Sequence, residues 1–401
     1  MLSVEEAQAL AVEGLARLGA ERVALGEALD RILAAEVTSA VDAPAWPSSA
    51  MDGFAVRAGD PAKRLRVVGE SAAGAPQGRA VGDGEAAAIM TGAVVPTGAN
   101  AVVMVEETRL EGEWVWLDAQ VRVGQHIREV GEDLRVGQLV AKVGATLGPA
   151  ELGLVAAARR GTVTVARRPT VAIVSTGDEL REVDEPLGPG GIPDSNSLML
   201  AALVQRAGGV PLRLPLVGDD PVRLRQALGD AARADLVVST GGVSVGAHDH
   251  VKEVVAQLGG TLQAWRVDMK PGKPVAFARL GSTPFFGLPG NPVSSFVAFW
   301  LFVRPALRAL QGALQPFDLP KLRVRLLDPV KSAGDRRHYV RATVLVDSDG
   351  TLGARPMSRQ GSHQLTSAAG ANALLVVPAG AKGATGDLVD ALLFAPLSSS
   401  M

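Results

Sequence analysis

The chain has 401 residues, 47% of them hydrophobic and 20% charged, with 46 glycines and 25 prolines, so a folded protein rich in turns and built from two to four domains is expected. Its formal charge of -2 excludes the broad basic field that holds nucleic acid or an anionic membrane, and any anionic ligand must be held by a local cluster. The complete lack of cysteine excludes disulfides, thiolate zinc sites and cysteine nucleophiles, and makes the cytoplasm the expected compartment.

Residues 3–35 carry helical spacing: Val4, Ala7, Leu10 and Ala11 share one face, and a second amphipathic pattern runs from Gly26 to Ala35. Glu5 and Glu6 stand where a signal peptide would be basic, so this start is expected to be a helix and not a targeting segment. From about Pro44 short β-branched runs separated by glycines take over, among them 65–68, 86–90, 101–105 and 114–117. Helical spacing returns at 149–159. The reading is therefore a helical domain from 1–45 and 132–166, interrupted by a β-rich insertion over 46–131.

From Pro169 onward apolar strands alternate with helices. Strands are expected at 171–174, 235–238, 275–278 and 285–286, with helices after Ser195, after Asp249 and from about Pro292, which predicts a doubly wound parallel sheet over 167–315. The most apolar stretch, 293–303, falls short of the roughly 18 to 20 residues that cross a bilayer and is expected to be a buried core helix, with no membrane span in the chain. Strand-like runs then continue through 316–401, with Asp349-Gly350 as a hairpin turn.

Open parallel sheets bind ligands beyond the carboxyl ends of their strands. Three such ends are marked here by small residues: Ser175-Thr176-Gly177-Asp178-Glu179, Ser239-Thr240-Gly241-Gly242 and Gly287-Leu288-Pro289-Gly290-Asn291-Pro292. If the sheet is parallel, all three share one rim. Glycines let backbone approach a ligand and hydroxyls give neutral donors to phosphate oxygens, although the same residue types also make ordinary turns. The loop Met269-Lys270-Pro271-Gly272-Lys273-Pro274 holds two of only eight lysines, compact charges suited to phosphate.

Glu179, Asp219 and Asp249 follow predicted strands of this sheet, where carboxylates beside phosphate loops hold Mg²⁺; a metal-assisted phosphate reaction is the expectation. Asp220 before Pro221 reads instead as a helix cap, and Asp249 could cap the helix that follows it. His248 and His250 have no third partner in the sequence and receive no role.

These motifs together resemble the molybdopterin molybdenumtransferase family, MoeA in bacteria and the gephyrin E domain in animals. The likeness covers nearly the whole chain: PAWPSSAMDGFAV at 44–56, IMTGAVVPTGANAVVMVEE at 89–107, VGEDLRVGQ at 130–138, STGDEL at 175–180, PDSNS at 193–197, STGGVSVGAHD at 239–249, MKPGKP at 269–274, GLPGNPVSS at 287–295 and RQGSH at 359–363. The departures are small, Ala247-His248 ahead of Asp249 and Trp46-Pro47 in the first motif.

The resemblance implies a homodimer of four-part subunits: a helical segment, an inserted β domain, a molybdopterin-binding α/β domain and a C-terminal β-barrel. It also implies the reaction, insertion of molybdate into adenylated molybdopterin with release of AMP and help from Mg²⁺. By the same likeness Asp52, Thr91, Glu179, Asp219 and Asp249 become catalytic candidates, with the last three as metal ligands. Ser175, Thr176, Gly177, Ser239, Gly241, Gly242, Ser244, Lys270, Lys273, Pro289, Asn291, Arg341 and Ser362 become candidate substrate contacts. Asp52 and Thr91 are expected to face the partner subunit's α/β domain, and transient contact with the adenylyltransferase is implied. Two other readings stay open from sequence: the molybdopterin adenylyltransferase, which shares the α/β domain, and a non-catalytic scaffold of the same fold.

Overall fold

The computed structural model describes residues 1–399 apart from 119, 243–249, 265, 332–333 and 347–349. Its first helix is Val4–Val12, closed at the front by a reciprocal cap in which Ser3 and Glu6 bond each other's backbone N–H groups. The segment 26–35, expected to be helical, is not. After a 3₁₀ turn at Leu25–Glu27 the chain passes through Asp30 at φ 60°, and Ile32 and Leu33 form bridges to Thr146 and Val165. Its apolar spacing is satisfied by a small core with Ala28, Leu33, Leu147 and Val155, so packing overrides the helical pattern.

Around that core lie two short antiparallel pairs, Ala20–Ala24 with Thr162–Ala166 and Val37–Thr38 with Leu139–Ala141, and the helix Pro149–Ala157. The intervening chain leaves and returns at one place: Gly131 N–H donates to the Pro44 carbonyl at 3.0 Å and Leu134 N–H to Ala43 at 3.1 Å. What is inserted there is a six-stranded sheet, in the order 101–104, 53–56, 85–89, 64–71, 114–117 and 108–111, with an apolar cluster on each face. Gly53 is dictated by its neighbour, since a Cβ there would sit 1.9 Å from the Val103 carbonyl oxygen.

The second six-stranded sheet runs Val210–Arg213, Thr170–Ser175, Leu236–Thr240, Thr283–Leu288, Ala276–Leu280, Thr261–Ala264. Its first four strands are parallel; the apolar runs of Thr170–Ser175, Leu236–Thr240 and Thr283–Leu288 are buried on both faces, while Val210–Arg213 is a largely exposed edge. The other two are antiparallel, which corrects the wholly parallel sheet expected from alternation: Ala276–Leu280 and Thr283–Leu288 are joined by a turn too short for a crossover helix. Helices Pro221–Ala231 and Val251–Gln257 pack on one face, while Ser195–Arg206, the N-terminal helix and a long apolar helix cover the other.

That long helix runs from Pro292 to Leu310, longer than the stretch singled out in the sequence and, by length and composition, enough to cross a bilayer. In the fold it is mostly buried, with every residue from Val293 to Val303 in the core. Its turn at Phe299–Val303 widens to a π-helix just ahead of Pro305, which has no N–H to donate into the preceding turn.

The C-terminal region is a closed five-stranded barrel. Lys321–Leu326 pairs with Leu352–Pro356 and Leu388–Leu393, Arg337–Val346 pairs with Leu352–Pro356 and Ala373–Val377, and the last two antiparallel strands, 373–377 and 388–393, complete the ring. Asp349 of the expected hairpin turn lies outside the described residues; the flanking strands pair as a hairpin, with Val346 opposite Leu352. Tyr339, Leu374 and Phe394 on the barrel's outer side join the core built by the long helix, so barrel and α/β domain share apolar surface. Met269–Lys270 adds a short parallel strand beside Arg337–His338 and carries the lysine loop to the barrel mouth.

Candidate functional site

The three small-residue exits do meet on one rim. Strand 170–175 lies beside 236–240, and that beside 283–288, all parallel, so their carboxyl ends open on the same side. The exits are tied to one another: Thr176 N–H donates to the Thr240 carbonyl at 3.0 Å and Gly241 N–H to the Leu288 carbonyl at 3.2 Å. Gly241 is at φ +92°, and a Cβ there would meet the Thr176 carbonyl oxygen at 2.4 Å, so no other residue permits this approach.

A cleft of about 710 Å³ opens over this rim. It receives Thr176, Gly177, Glu179, Asp219, Gly241, Gly242, Pro289 and Asn291 from the sequence-derived set, together with Thr240, Gly290 and His363. Two helices begin at its wall, Ser195–Arg206 and the helix starting at Pro292, and helix N-termini favour anions. Asp178 fixes the acidic corner: its carboxylate accepts the Asp219 backbone N–H at 2.9 Å. Asp220 caps the next helix by accepting from Val222 N–H at 2.9 Å, as Asp before Pro221 predicts.

In Pro193-Asp194-Ser195-Asn196-Ser197 the sequence motif assigns no role to the polar residues, yet Asp194, Ser195 and Asn196 line the cleft. Asp194 is 1% exposed; one carboxylate oxygen accepts Ser197 N–H at 3.0 Å, and the other has no partner among the described residues. Asn196 donates to Thr240 Oγ1 at 2.8 Å and to the Gly290 carbonyl at 2.7 Å, bracing two exits, while its own Oδ1 is unpartnered. Thr176 Oγ1 is likewise without a partner among the described residues. The signal available was the position itself: a polar pair at a helix start facing the carboxyl ends of a parallel sheet.

A second cavity of about 930 Å³ lies between the lysine loop and the barrel, and it shares Pro274, Pro289 and Asn291 with the first. Lys270, Lys273 and Ser362 line it as a group, joined by Lys331, Arg336 and His338, with Asp328 as the one carboxylate among the residues lining it. The RQGSH loop is held in place by Val293 N–H, which donates to the Ser362 carbonyl at 3.0 Å.

Other expected residues are placed elsewhere. Ser175 and Ser239 lie inside the sheet below the rim, fully buried, and line neither cavity. Arg341 is also away from both. Its guanidinium is fully buried in the barrel wall, within 3.3–3.5 Å of Ser367 Oγ and the carbonyls of Tyr339 and Gly361, and burial pushes its pKa down to about 10. The arginine aligned on the outer face of its strand thus packs behind the RQGSH loop and does not reach into the space in front of it. Ser244 and Asp249 lie outside the described residues, as does His248; His250 stands at the N-cap of the following helix, 4.0 Å from Glu253.

Asp52 and Thr91 sit together on the exposed inserted domain and line neither cavity. The Asp52 carboxylate accepts Thr91 N–H at 2.6 Å and Thr91 Oγ1–H at 2.9 Å, bonds that hold its pKa below the usual carboxylate range. Trp46, Met51 and Met90 are exposed on the same domain.

The donor set suits Mg²⁺ in kind. Among the described residues no three acidic, histidine or cysteine side chains converge on one point, but Mg²⁺ keeps several waters and takes only one or two carboxylates plus substrate phosphates. Glu179 and Asp219 in one cleft meet that demand.

Comparison with known proteins agrees with this architecture part by part. Residues 2–158 match the MoeA N-terminal region (domain I and II), residues 172–309 a probable molybdopterin binding domain, and residues 323–394 the MoeA C-terminal region (domain IV). The molybdopterin molybdenumtransferase of Nostoc sp. is 40% identical over 376 residues, 90% of this chain and 85% of that one. That of Haemophilus influenzae is 35% identical over 382 residues, 94% of each. The crystal structure of the molybdopterin biosynthesis moeA protein from Pyrococcus horikoshii OT3 superposes with a TM-score of 0.85 at 31% identity, over 98% of this chain and 100% of that chain. With all three regions matched in order and relatives aligned almost end to end, the chain belongs to the MoeA family.

Proposed function

We propose that this chain is a molybdopterin molybdenumtransferase, which inserts molybdate into adenylated molybdopterin and releases AMP in the cytoplasm. The observation that carries the reading is the meeting of two cavities of different character at Pro274, Pro289 and Asn291. The first offers backbone, hydroxyls and helix N-termini to a phosphorylated organic ligand; the second offers Lys270, Lys273, Lys331 and Arg336 to a tetrahedral oxyanion. A substrate seated in the first cleft would meet molybdate held in the second across that shared wall.

In this reading Thr176, Gly177, Gly241 and Gly242 seat the pterin phosphate, and Asp194 and Asn196 offer acceptors to the N–H groups of the pterin. Lys270 and Lys273 neutralise charge that develops as the phosphoanhydride breaks. Glu179 and Asp219, with Asp249, are the residues that would hold Mg²⁺, which supplies positive charge to phosphate oxygens when bound.

Asp52 and Thr91 act in a homodimer, completing the site of a second copy. The support is a fixed anion on an exposed corner with apolar side chains on the same domain, away from both cavities of its own chain. Mixing inactive Asp52→Ala with inactive Asp219→Ala subunits should restore activity if sites are shared, and restores none if each chain works alone. Transient contact with the adenylyltransferase would deliver the adenylate.

The direct test is AMP release from adenylated molybdopterin with Mg²⁺, with and without molybdate. Molybdate-dependent release in the wild type, lost in Asp219→Ala and Asp249→Ala, is expected. ATP consumption with metal-free molybdopterin, and no AMP release from the adenylate, would reassign the chain to adenylyl transfer.

A further inference from the structure

His338 has no part in the mechanism above, and its setting is unusual. It opens the barrel strand Arg337–Val346, in which Val340, Ala342 and Val344 alternate into the barrel's apolar interior. By the two-residue period of a strand, His338 belongs to the same inward row and ends it at the barrel mouth. An apolar residue would continue the row; the chain places an imidazole there.

His338 is 6% exposed and lines the second cavity, yet neither Nδ1 nor Nε2 has a hydrogen-bond partner among the described residues. A buried polar group without a partner is disfavoured by its lost hydration, so the position calls for a partner from the cavity. Its strand neighbour in register is Lys270, and Arg336 and Lys331 line the same space. Burial first, then the charges of Lys270 and Arg341, hold the ring's pKa down to about 4. At neutral pH the group is therefore an uncharged imidazole with one N–H to give, among cations that supply the charge.

We propose that His338 is a binding contact for the oxyanion in the second cavity, donating its single ring N–H to one oxygen of the tetrahedral ion while Lys270 and Lys273 supply the charge. The inference rests on the reading of that cavity as the oxyanion site. It adds a directional neutral donor to a set of point charges, and a directional bond orients an ion that lysines alone would hold in many poses.

The test uses the full chain and inorganic molybdate, with affinity measured by calorimetry. His338→Leu, which fills the site and gives no donor, should weaken molybdate binding about tenfold or more, as for loss of one hydrogen bond to a charged group. His338→Gln, which keeps an N–H donor, should stay within about threefold of wild type on the same scale. AMP affinity should not change in either variant. Molybdate binding unaffected in His338→Leu overturns the proposal, as does a loss confined to AMP.

The paired control is Lys270→Ala/Lys273→Ala. If that variant binds molybdate as the wild type does, the oxyanion lies elsewhere and the reading of the cavity falls with the inference. If the double variant loses binding while His338→Leu keeps it, only the inference falls. Should His338→Leu fail to fold, ring ¹⁵N spectra of the wild type decide: the His338 resonances, identified among five histidines by their absence in His338→Gln, must shift as molybdate saturates the protein. Unmoved resonances overturn the contact.

Discussion

The two ends of the parallel strands treat polar groups in opposite ways. At the amino end, Asp235 is fully employed: Arg167 grips both carboxylate oxygens at 2.6 and 2.8 Å, and Thr170 adds its N–H and hydroxyl, each at 2.7 Å. At the carboxyl end, Thr176 Oγ1, Asn196 Oδ1 and one oxygen of Asp194 are buried at the cleft with no partner among the described residues. The sheet satisfies this carboxylate at its amino end and leaves open the polar atoms that face the cleft; the hydroxyls of Ser175 and Ser239, one layer below the rim, also lack partners among the described residues. Buried unsatisfied groups cost stability, so those that face the cleft, where a ligand can reach them, mark a binding surface.

The strongest way to break this contrast is to exchange the consequences. Asp235→Ala removes four hydrogen bonds at a largely buried carboxylate and leaves Thr170 and Arg167 without their acceptor; a loss of about 3 kcal/mol in urea unfolding is expected. AMP release per folded molecule should stay at the wild-type level. A variant that keeps its stability but loses turnover would place Asp235 in the site and dissolve the distinction.

Asp194→Asn probes the opposite end. Asparagine caps a helix as well as aspartate does, so stability should stay within about 0.5 kcal/mol of wild type. The free oxygen, however, becomes an amide or loses its charge, and affinity for molybdopterin should fall about tenfold. Lost stability with intact binding would make the free oxygen an incidental feature of the cap.

The pH dependence of stability sharpens the contrast further. Burial alone would raise the Asp235 pKa, but the bonds from Arg167 and Thr170 outweigh it and the net shift is downward. A carboxylate with a lowered folded pKa gives stability that is fully present above its unfolded value near pH 4 and fades as pH falls through the folded value. The difference in unfolding free energy between wild type and Asp235→Asn should therefore be constant at neutral pH and narrow only below about pH 4. A difference that narrows near neutrality instead would mean that another group governs it.

Much of this arrangement was legible in the sequence because the parallel strands are continuous apolar runs that end in glycine and hydroxyl residues. Both signals come from local chemistry, burial on two faces and close backbone approach. What was not legible depended on contacts distant in sequence. Ile32 and Leu33 read as helix because their partners, Thr146 and Val165, lie more than a hundred residues away. Arg341 is a ligand candidate by family resemblance alone, and its burial against the Gly361 carbonyl of the RQGSH loop depends on chain that closes from elsewhere in the barrel. Asp194 caps the helix that follows it, and nothing in a single sequence shows that its second oxygen is left over. His338 differs in kind, since a polar residue in an inward barrel row could have been singled out once the strand's register was known.

The smallest expected effect separates the rim from the layer below it. Ser239 follows the apolar run of its strand and precedes the glycines, so sequence places it with Thr240, Gly241 and Gly242 as a ligand contact. The structure puts its hydroxyl inside the sheet with no partner among the described residues, outside both cavities. Ser239→Ala deletes a buried oxygen that makes no bond, and should leave stability within about 0.5 kcal/mol of wild type or raise it slightly. Thr176→Val removes an equally unpartnered hydroxyl from the cleft wall itself, and should lower molybdopterin affinity several-fold while changing stability as little. If Ser239→Ala weakens binding as much as Thr176→Val does, the ligand reaches one layer deeper than the cleft now extends, and the boundary between the holding layer and the binding rim lies below Ser239.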